Sequence, residues 1–138
     1  MKDTAILVTG GNGFIGAKIV EKLVLLGYTP LLLLRKNSNR ERLLPVLNKI
    51  RIFEASLEDA KDVSGILKKA NPDIIIHLAG HGVYSYEDMS AENIQLMVDS
   101  NINGTVNLLH AAQNTDCGVF INTGSCFEYG SSNSAFKE

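Results

Sequence analysis

Apolar residues in this chain come in two kinds of block. Short continuous runs such as Ala5-Ile6-Leu7-Val8, Leu31-Leu32-Leu33-Leu34 and Ile74-Ile75-Ile76 alternate with stretches in which apolar residues recur every three or four positions. A short unbroken apolar run reads as a strand covered on both faces, and the three-to-four spacing reads as one face of a helix. The pattern predicts strands at 5–9, 30–34, 51–54, 73–78 and 118–122. It places a helix after the first strand, with Ile15, Ile19 and Leu23 on one stripe, Val20 and Val24 alongside, and Gly27 as the stop. A second helix is predicted at 40–47, interrupted or capped near Pro45, and a third at 58–69 with Val63, Ile66 and Leu67 inward. A long helix at 91–112 offers Leu96, Val98, Ile102, Val106, Leu109 and Ala112 for burial. Strands alternating with helices imply an α/β fold, a doubly wound parallel sheet of about five strands with right-handed crossovers.

Residues 9–16, Thr-Gly-Gly-Asn-Gly-Phe-Ile-Gly, lie between the first strand and its helix. Two glycine spacings overlap there, G-x-G-x-x-G at Gly11, Gly13 and Gly16, and G-x-x-G-x-x-G at Gly10, Gly13 and Gly16. Either lets the backbone turn sharply against a pyrophosphate at the amino end of a helix, the arrangement of a Rossmann-type dinucleotide site. Cofactor choice is read at the end of the second strand. An acid there, about 20 residues beyond the glycines, would accept from a ribose 2′-hydroxyl. This chain has Leu34-Arg35-Lys36-Asn37-Ser38 and no acid before Glu41. Arg35 offers a fork for a 2′-phosphate and Lys36 a point charge, so NADP is favoured over NAD.

The string Thr-Gly-x-x-Gly-Phe-Ile-Gly resembles the opening motif of the extended short-chain dehydrogenase/reductase family, which includes nucleotide-sugar epimerases, dehydratases and reductases. The resemblance implies that Gly10, Gly13 and Gly16 are the working glycines, that Phe14 and Ile15 back the pyrophosphate, and that Gly11 is a passenger. After the third strand, Glu54-Ala55-Ser56-Leu57 departs from the family's Gly-Asp-Leu-like triplet. Ser56 and Leu57 are expected at the adenine pocket, with Ser56 equally readable as the cap of the helix at 58–69. His77-Leu78-Ala79-Gly80 resembles the family's segment at the fourth strand's end, where Leu78, Ala79 and Gly80 would let the backbone pass close to the cofactor. His77 is read as structural and His81 as a loop residue. Asn101-Ile102-Asn103-Gly104-Thr105 resembles Asn-x-x-Gly-Thr on the family's long helix, placing Asn101 near the active site, and Gly104 in mid-helix suggests close packing. Asn122–Gly130 resembles Ser-Ser-x-x-Val-Tyr-Gly and puts Ser125 at the position of the catalytic hydroxyl, with Tyr129 structural. Cys126 and Phe127 stand where the dehydratases carry an acid pair, and Glu128 is one place late, so dehydration is disfavoured.

Family chemistry also needs a tyrosine with a lysine four residues on, lowering its pKa. Leu32, Asp88, Ser90 and Asn133 follow Tyr28, Tyr84, Tyr86 and Tyr129 at that distance. The resemblance therefore covers the amino-terminal part of a family member. The remaining strands, the acid/base pair, a second interface helix and the sugar-binding lobe are expected beyond Glu138. The expected whole is an NADP-dependent nucleotide-sugar epimerase or 4-ketoreductase, dimeric through the helix at 91–112, with this portion inactive alone. A non-catalytic NADP-binding sensor and a reductase of a non-sugar ketone are the alternatives.

Bulk properties narrow the field. The 138 residues are 45% apolar and 20% charged, ordinary for one globular domain, here the incomplete dinucleotide-binding domain 1–138. Thirteen basic against 15 acidic residues give a net charge of −2, which argues against a general nucleic-acid or membrane-surface partner. Cys117 and Cys126 have no metal-ligand or disulfide spacing, and no targeting segment is evident, so no metal is expected and a cytoplasmic setting is.

Overall fold

The computed structural model describes residues 4–82 and 90–125. Five strands, β1 (Ile6–Thr9), β2 (Leu31–Leu34), β3 (Arg51–Glu54), β4 (Ile74–His77) and β5 (Val119–Asn122), form one sheet in the order β3-β2-β1-β4-β5. Every neighbouring pair is parallel. The chain steps from β1 to β3 in one direction, then crosses to β4 and β5 on the other side of β1. The strand order therefore reverses between β1 and β4, where an open α/β sheet leaves its crevice. Register brings the carboxyl ends to a common rim: Thr9 lies opposite His77, His77 opposite Asn122, and Leu34 opposite Glu54.

Side chains on a strand point alternately to its two faces, which splits the core in two. Leu7, Leu31, Leu33 and Ile75 meet Val63 and Leu67 of helix α2 (Ala60–Ala70) and Leu108 and Ala111 of helix α4 (Gly104–Ala112). Ile6, Val8, Leu32 and Leu34 meet Ala17 and Val20 of helix α1 (Phe14–Leu25), together with Leu43 and Val46. The four consecutive leucines of β2 thus serve both layers and are all buried. Burying one leucine is worth roughly 1.5–3 kcal/mol, more than the roughly 1 kcal/mol span of strand propensities. Burial, not propensity, makes Leu31–Leu34 a strand.

All five predicted strands form, each within about a residue of its expected ends. The helices depart more. The segment after β2 is a 3₁₀ helix, Glu41–Lys49, with Pro45 inside it. Proline removes a donor and clashes with the carbonyl four residues back, which disfavours α winding. The buried pair Leu43 and Val46, three apart, matches the tighter turn. Asp59, not Ser56, caps α2, its side chain accepting from the amides of Lys61 and Asp62 at 3.0 Å each.

The long helix at 91–112 is continuous but divided into α3 (Ala91–Met97), a π-wound stretch (Val98–Asn103) and α4. Its expected apolar stripe is largely outward, with Leu96, Ile102, Val106 and Leu109 all exposed. The buried residues of α4 are Gly104, Leu108 and Ala111. Both faces of α4 are apolar, and the face bearing small residues is the one that lets it approach the loop leading into α2. A methyl group at Gly104 would stand 2.9 Å from Leu57 Cβ. The expected stripe of α1 is corrected in the same way: Ile15 is exposed, and Gly16, Ala17 and Val20 carry the contact.

Gly104→Ala separates helix propensity from packing. Propensity alone favours alanine by about 1 kcal/mol. The clash with Leu57 is expected to reverse that sign, lowering the urea midpoint at unchanged slope, whereas a raised midpoint would show that the helices have room to spare.

Candidate functional site

A cleft of about 320 Å³ opens over the carboxyl ends of β1, β2, β3 and β4. Gly10 and Gly13 form its floor, Leu34, Arg35, Ser38, Asn39 and Arg42 one wall, and Ala55, Leu57 and Glu58 the next. Leu78, Ala79, Gly80 and Ser100 close the opposite side.

The floor exists because β1 ends in glycine. Gly10 has φ +65°, and a Cβ there would come within 2.6 Å of Ala79 N and 2.7 Å of Leu78 O. No larger residue could hold this turn so close to the end of β4. The turn is tied by the Gly13 amide donating to Gly10 O at 3.0 Å. A Cβ at Gly16 would overlap Gly10 O, so that glycine permits the close packing of α1 on its own loop. Gly11 stands outside the cleft lining and serves packing instead. It is buried, and a Cβ there would stand 2.9 Å from Leu32 Cδ2 and 3.3 Å from Val20 Cγ2. Gly13 caps α1 without a side-chain hydrogen bond, and no acid occupies the first turn, so the amides that open the helix beside Gly13 have no side-chain cap.

The end of β4 is held by a hydrogen-bond chain. Thr9 Oγ1 lies 2.6 Å from His77 Nδ1, and His77 Nε2 lies 3.0 Å from Thr105 Oγ1. Thr105 donates its hydroxyl proton to Asn101 O at 2.7 Å. Nε2 therefore carries the ring proton and donates to Thr105, which leaves Nδ1 to accept from Thr9. Thr9 Oγ1 in turn accepts from the amides of Leu78 at 3.3 Å and Ala79 at 3.2 Å. His77 is buried and neutral, its pKa lowered by desolvation. This is a structural histidine.

Asn101, in the π-wound stretch, grips the next loop with both ends of its amide. Its Oδ1 accepts from His81 N at 2.7 Å and its Nδ2 donates to His81 O at 2.8 Å. The His81 ring donates from Nε2 to Asn93 Oδ1 at 2.8 Å, so its side chain anchors the loop to α3. Asn107 of α4 secures the adjoining wall, its Nδ2 donating to Leu57 O at 2.9 Å and Glu58 O at 3.2 Å.

Of the residues singled out from sequence, Gly10, Gly13, Arg35, Leu57, Leu78, Ala79 and Gly80 come together in the cleft lining. Phe14, Ile15, Gly16, Lys36, Ser56 and Asn101 stand outside that lining. Phe14 and Ile15 face outward on α1, 77% and 64% exposed, and form an apolar surface with Ile19 and Leu23. Ser125 is exposed just beyond β5, three residues after Asn122. That rim is secured to β4 by Thr123, whose amide and hydroxyl both donate to His77 O. Cys126, Phe127, Glu128, Tyr129, Tyr84 and Tyr86 lie outside the described residues.

Sequence reasoning missed Asn12, Ser38, Asn39, Arg42, Glu58 and Ser100 in the lining. Asn12 and Asn39 act together, Asn12 Nδ2 donating to Asn39 O at 2.9 Å across the cleft end. The available signal was position: each lies one to three residues from a residue already singled out, or opens the helix after β2. Ser38 Oγ is shielded from solvent and has no hydrogen-bond partner among the described residues. Such an orphan costs on the order of 1–3 kcal/mol and suits a ligand acceptor. The tight glycine floor, the uncapped helix amides and this hydroxyl together fit a nicotinamide dinucleotide. No group of His, Cys, Asp and Glu suited to a metal occurs among the described residues, and no described helix is long and apolar enough to cross a membrane.

Residues 6–138 match the family described as the NAD dependent epimerase/dehydratase family. The chain belongs to that family. Escherichia coli dTDP-glucose 4,6-dehydratase 1 is 36% identical over 114 residues, covering 79% of this chain and 31% of that protein. Rice UDP-glucose 4-epimerase 2 is 28% identical over 134 residues, covering 91% of this chain and 32% of its own length. Among solved structures, the Thermus thermophilus UDP-glucose 4-epimerase complex with NAD is 31% identical with a TM-score of 0.68, over 80% of this chain and 34% of that one. The Thermotoga maritima UDP-glucose 4-epimerase with UDP-glucose is 27% identical with a TM-score of 0.78, over 96% and 42%. This family member thus spans about a third of the length of the curated relatives it matches.

The buried His77 makes stability pH-dependent in a definite direction. The unfolded chain takes up a proton near pH 6.5 and the native ring resists it. The stability due to neutral His77 is full above pH 6.5 and is lost as pH falls toward the lowered native pKa. Urea titrations between pH 7.5 and 5 should show a shallower pH slope for His77→Gln than for the parent, and equal slopes would contradict the assignment.

Proposed function

We propose that this chain is the dinucleotide-binding portion of an NADP-dependent nucleotide-sugar epimerase or 4-ketoreductase. The carrying observation is the glycine-floored cleft at the β1/β4 reversal, walled on the ribose side by Arg35 and Arg42 and by no acid at the end of β2. The names of the relatives, which act on dTDP-glucose and UDP-glucose, support a nucleotide sugar as substrate.

In this reading Gly10 and Gly13 admit the pyrophosphate to the uncapped amides of α1. Leu57 and Ala55 pack on the adenine, and Leu78, Ala79 and Gly80 let the cofactor cross the sheet rim. A bound nicotinamide would supply hydride exchange with a sugar carbon. Ser125 hydrogen-bonds the sugar oxygen that passes between hydroxyl and ketone, which orients the carbon for transfer. Asn101 steadies the loop at His81 beside it. Dimerisation through the helical stretch 91–112 belongs to the same reading and is supported by its exposed Ile102, Val106 and Leu109.

Calorimetric titration with NADP+ and NAD+ tests the cofactor assignment. Arg35→Asp should weaken NADP+ about tenfold or more, as loss of a charged hydrogen bond predicts, while sparing NAD+. An unchanged affinity ratio would overturn the assignment. In protein extended to the length of its relatives, Ser125→Ala should lower kcat about 10²–10⁴-fold with little change in cofactor affinity. Unaltered kcat would remove Ser125 from the chemistry.

A further inference from the structure

We propose that β3 is a docking edge for a second copy of this chain, the two β3 strands pairing antiparallel across a two-fold axis. The contact is separate from the helical stretch 91–112 and does not rest on the cofactor reading above.

The edge itself comes first. β3 ends the sheet order, and among the described residues nothing pairs with its outer side. The amides of Arg51 and Ala55 donate inward to Pro30 O at 2.9 Å and Leu34 O at 3.0 Å. Alternate residues of a strand direct their backbone groups to the same side, so those of Ile52 and Glu54 point outward. A groove of about 720 Å³ lies between this edge and α2, with Phe53 of β3 and Asp62, Gly65, Ile66 and Lys69 of α2 in its lining.

Self-complementarity comes second. A two-fold contact requires one surface to match itself after a half-turn. Centring the axis on Phe53 sets Ile52 of each copy opposite Glu54 of the other. Such pairs exchange both backbone bonds, so every outward amide and carbonyl of Ile52 and Glu54 finds a partner. The two Phe53 side chains meet at the axis, where cross-strand neighbours come closest. Arg51 then stands opposite Ala55, and Glu54 keeps its own Arg40, so like charges are not set directly opposite one another. The row of α2 that lines the groove repeats the match. Turned antiparallel to its own copy, it sets Asp62 toward Lys69 and Gly65 toward Ile66. An unrelated extended peptide could pair with the backbone edge, but this second match favours the chain's own copy.

The third observation is Gly65 itself. Glycine inside a helix is the least favourable residue after proline. Gly104 has a packing reason within the chain, whereas a Cβ at Gly65 would meet nothing within 4 Å. The room it leaves is used when Ile66 of another copy comes against it. Asp62 and Lys69 likewise make no ion pair among the described residues.

The test is analytical ultracentrifugation over a concentration series, joined to amide exchange followed by NMR. A monomer–dimer equilibrium is expected, in which the amides of Ile52 and Glu54 gain protection as concentration rises. Gly65→Arg fills the groove, and Asp62→Lys opposes Lys69 with a like charge. Each should weaken dimerisation about tenfold or more. Combining Asp62→Lys with Lys69→Asp restores opposite charges and should recover most of that loss. Circular dichroism and urea midpoints show that each variant is folded. A chain that stays monomeric at every concentration overturns the proposal. So does a dimer whose protection falls on residues 91–112 or on β5 instead of Ile52 and Glu54. Unchanged dimerisation in folded Gly65→Arg and Asp62→Lys overturns it as well.

Discussion

The approach of two backbones, the turn after β1 and the end of β4, is the constraint on which the rest of the site depends. A methyl group on Gly10 would already be 2.6 Å from Ala79 N. At that separation the amides of Leu78 and Ala79 need a compact acceptor, and Thr9 Oγ1 fills the place. Thr9 then has its proton left for His77, and His77 has its own left for Thr105. One chain of hydrogen bonds therefore joins the glycine loop, the strand on the far side of the reversal and the helix behind the sheet. It is buried and neutral, so it sets geometry without adding charge to the cleft.

Around this joint the glycines divide the labour. Gly11 and Gly16 face the protein and allow α1 to seat on β2 and on its own loop. Gly10 and Gly13 face the cleft and keep side chains off its floor. The opposite wall is fixed from behind by α4, where Gly104 allows close contact with Leu57 and Asn107 holds the carbonyls of Leu57 and Glu58. The helix carrying Asn101 thus positions two walls at once, and its π-wound stretch lets Asn101 grip the His81 backbone without breaking the helix.

How much of this was legible in the sequence depended on the range of the interaction. The strands could be read because burial on both faces leaves an unbroken apolar run, and Leu31–Leu34 needs nothing more distant to identify it. The glycine loop could be read because its requirement for small residues is local. Helix faces were misread at Ile15, Ile102, Val106 and Leu109, because these helices are apolar on more than one side. Winding was misread where Pro45 imposed a 3₁₀ helix, and capping was left open until Asp59 proved to accept the amides of α2.

By itself, then, the sequence determined the fold class, the number of strands and their places along the chain, and the location of the glycine loop, because short-range patterns of burial and backbone freedom dictate each. It also marked Arg35 and the Leu78–Gly80 stretch, which adjoin strand ends and so share whatever lies over the rim. Tertiary structure alone decided that Gly11 is packed, that Ser38 and Arg42 stand beside Arg35, and that His77 is a neutral bridge. Each of these depends on contacts with residues remote in the chain or on how the loop after β2 winds, and sequence spacing does not encode such distances.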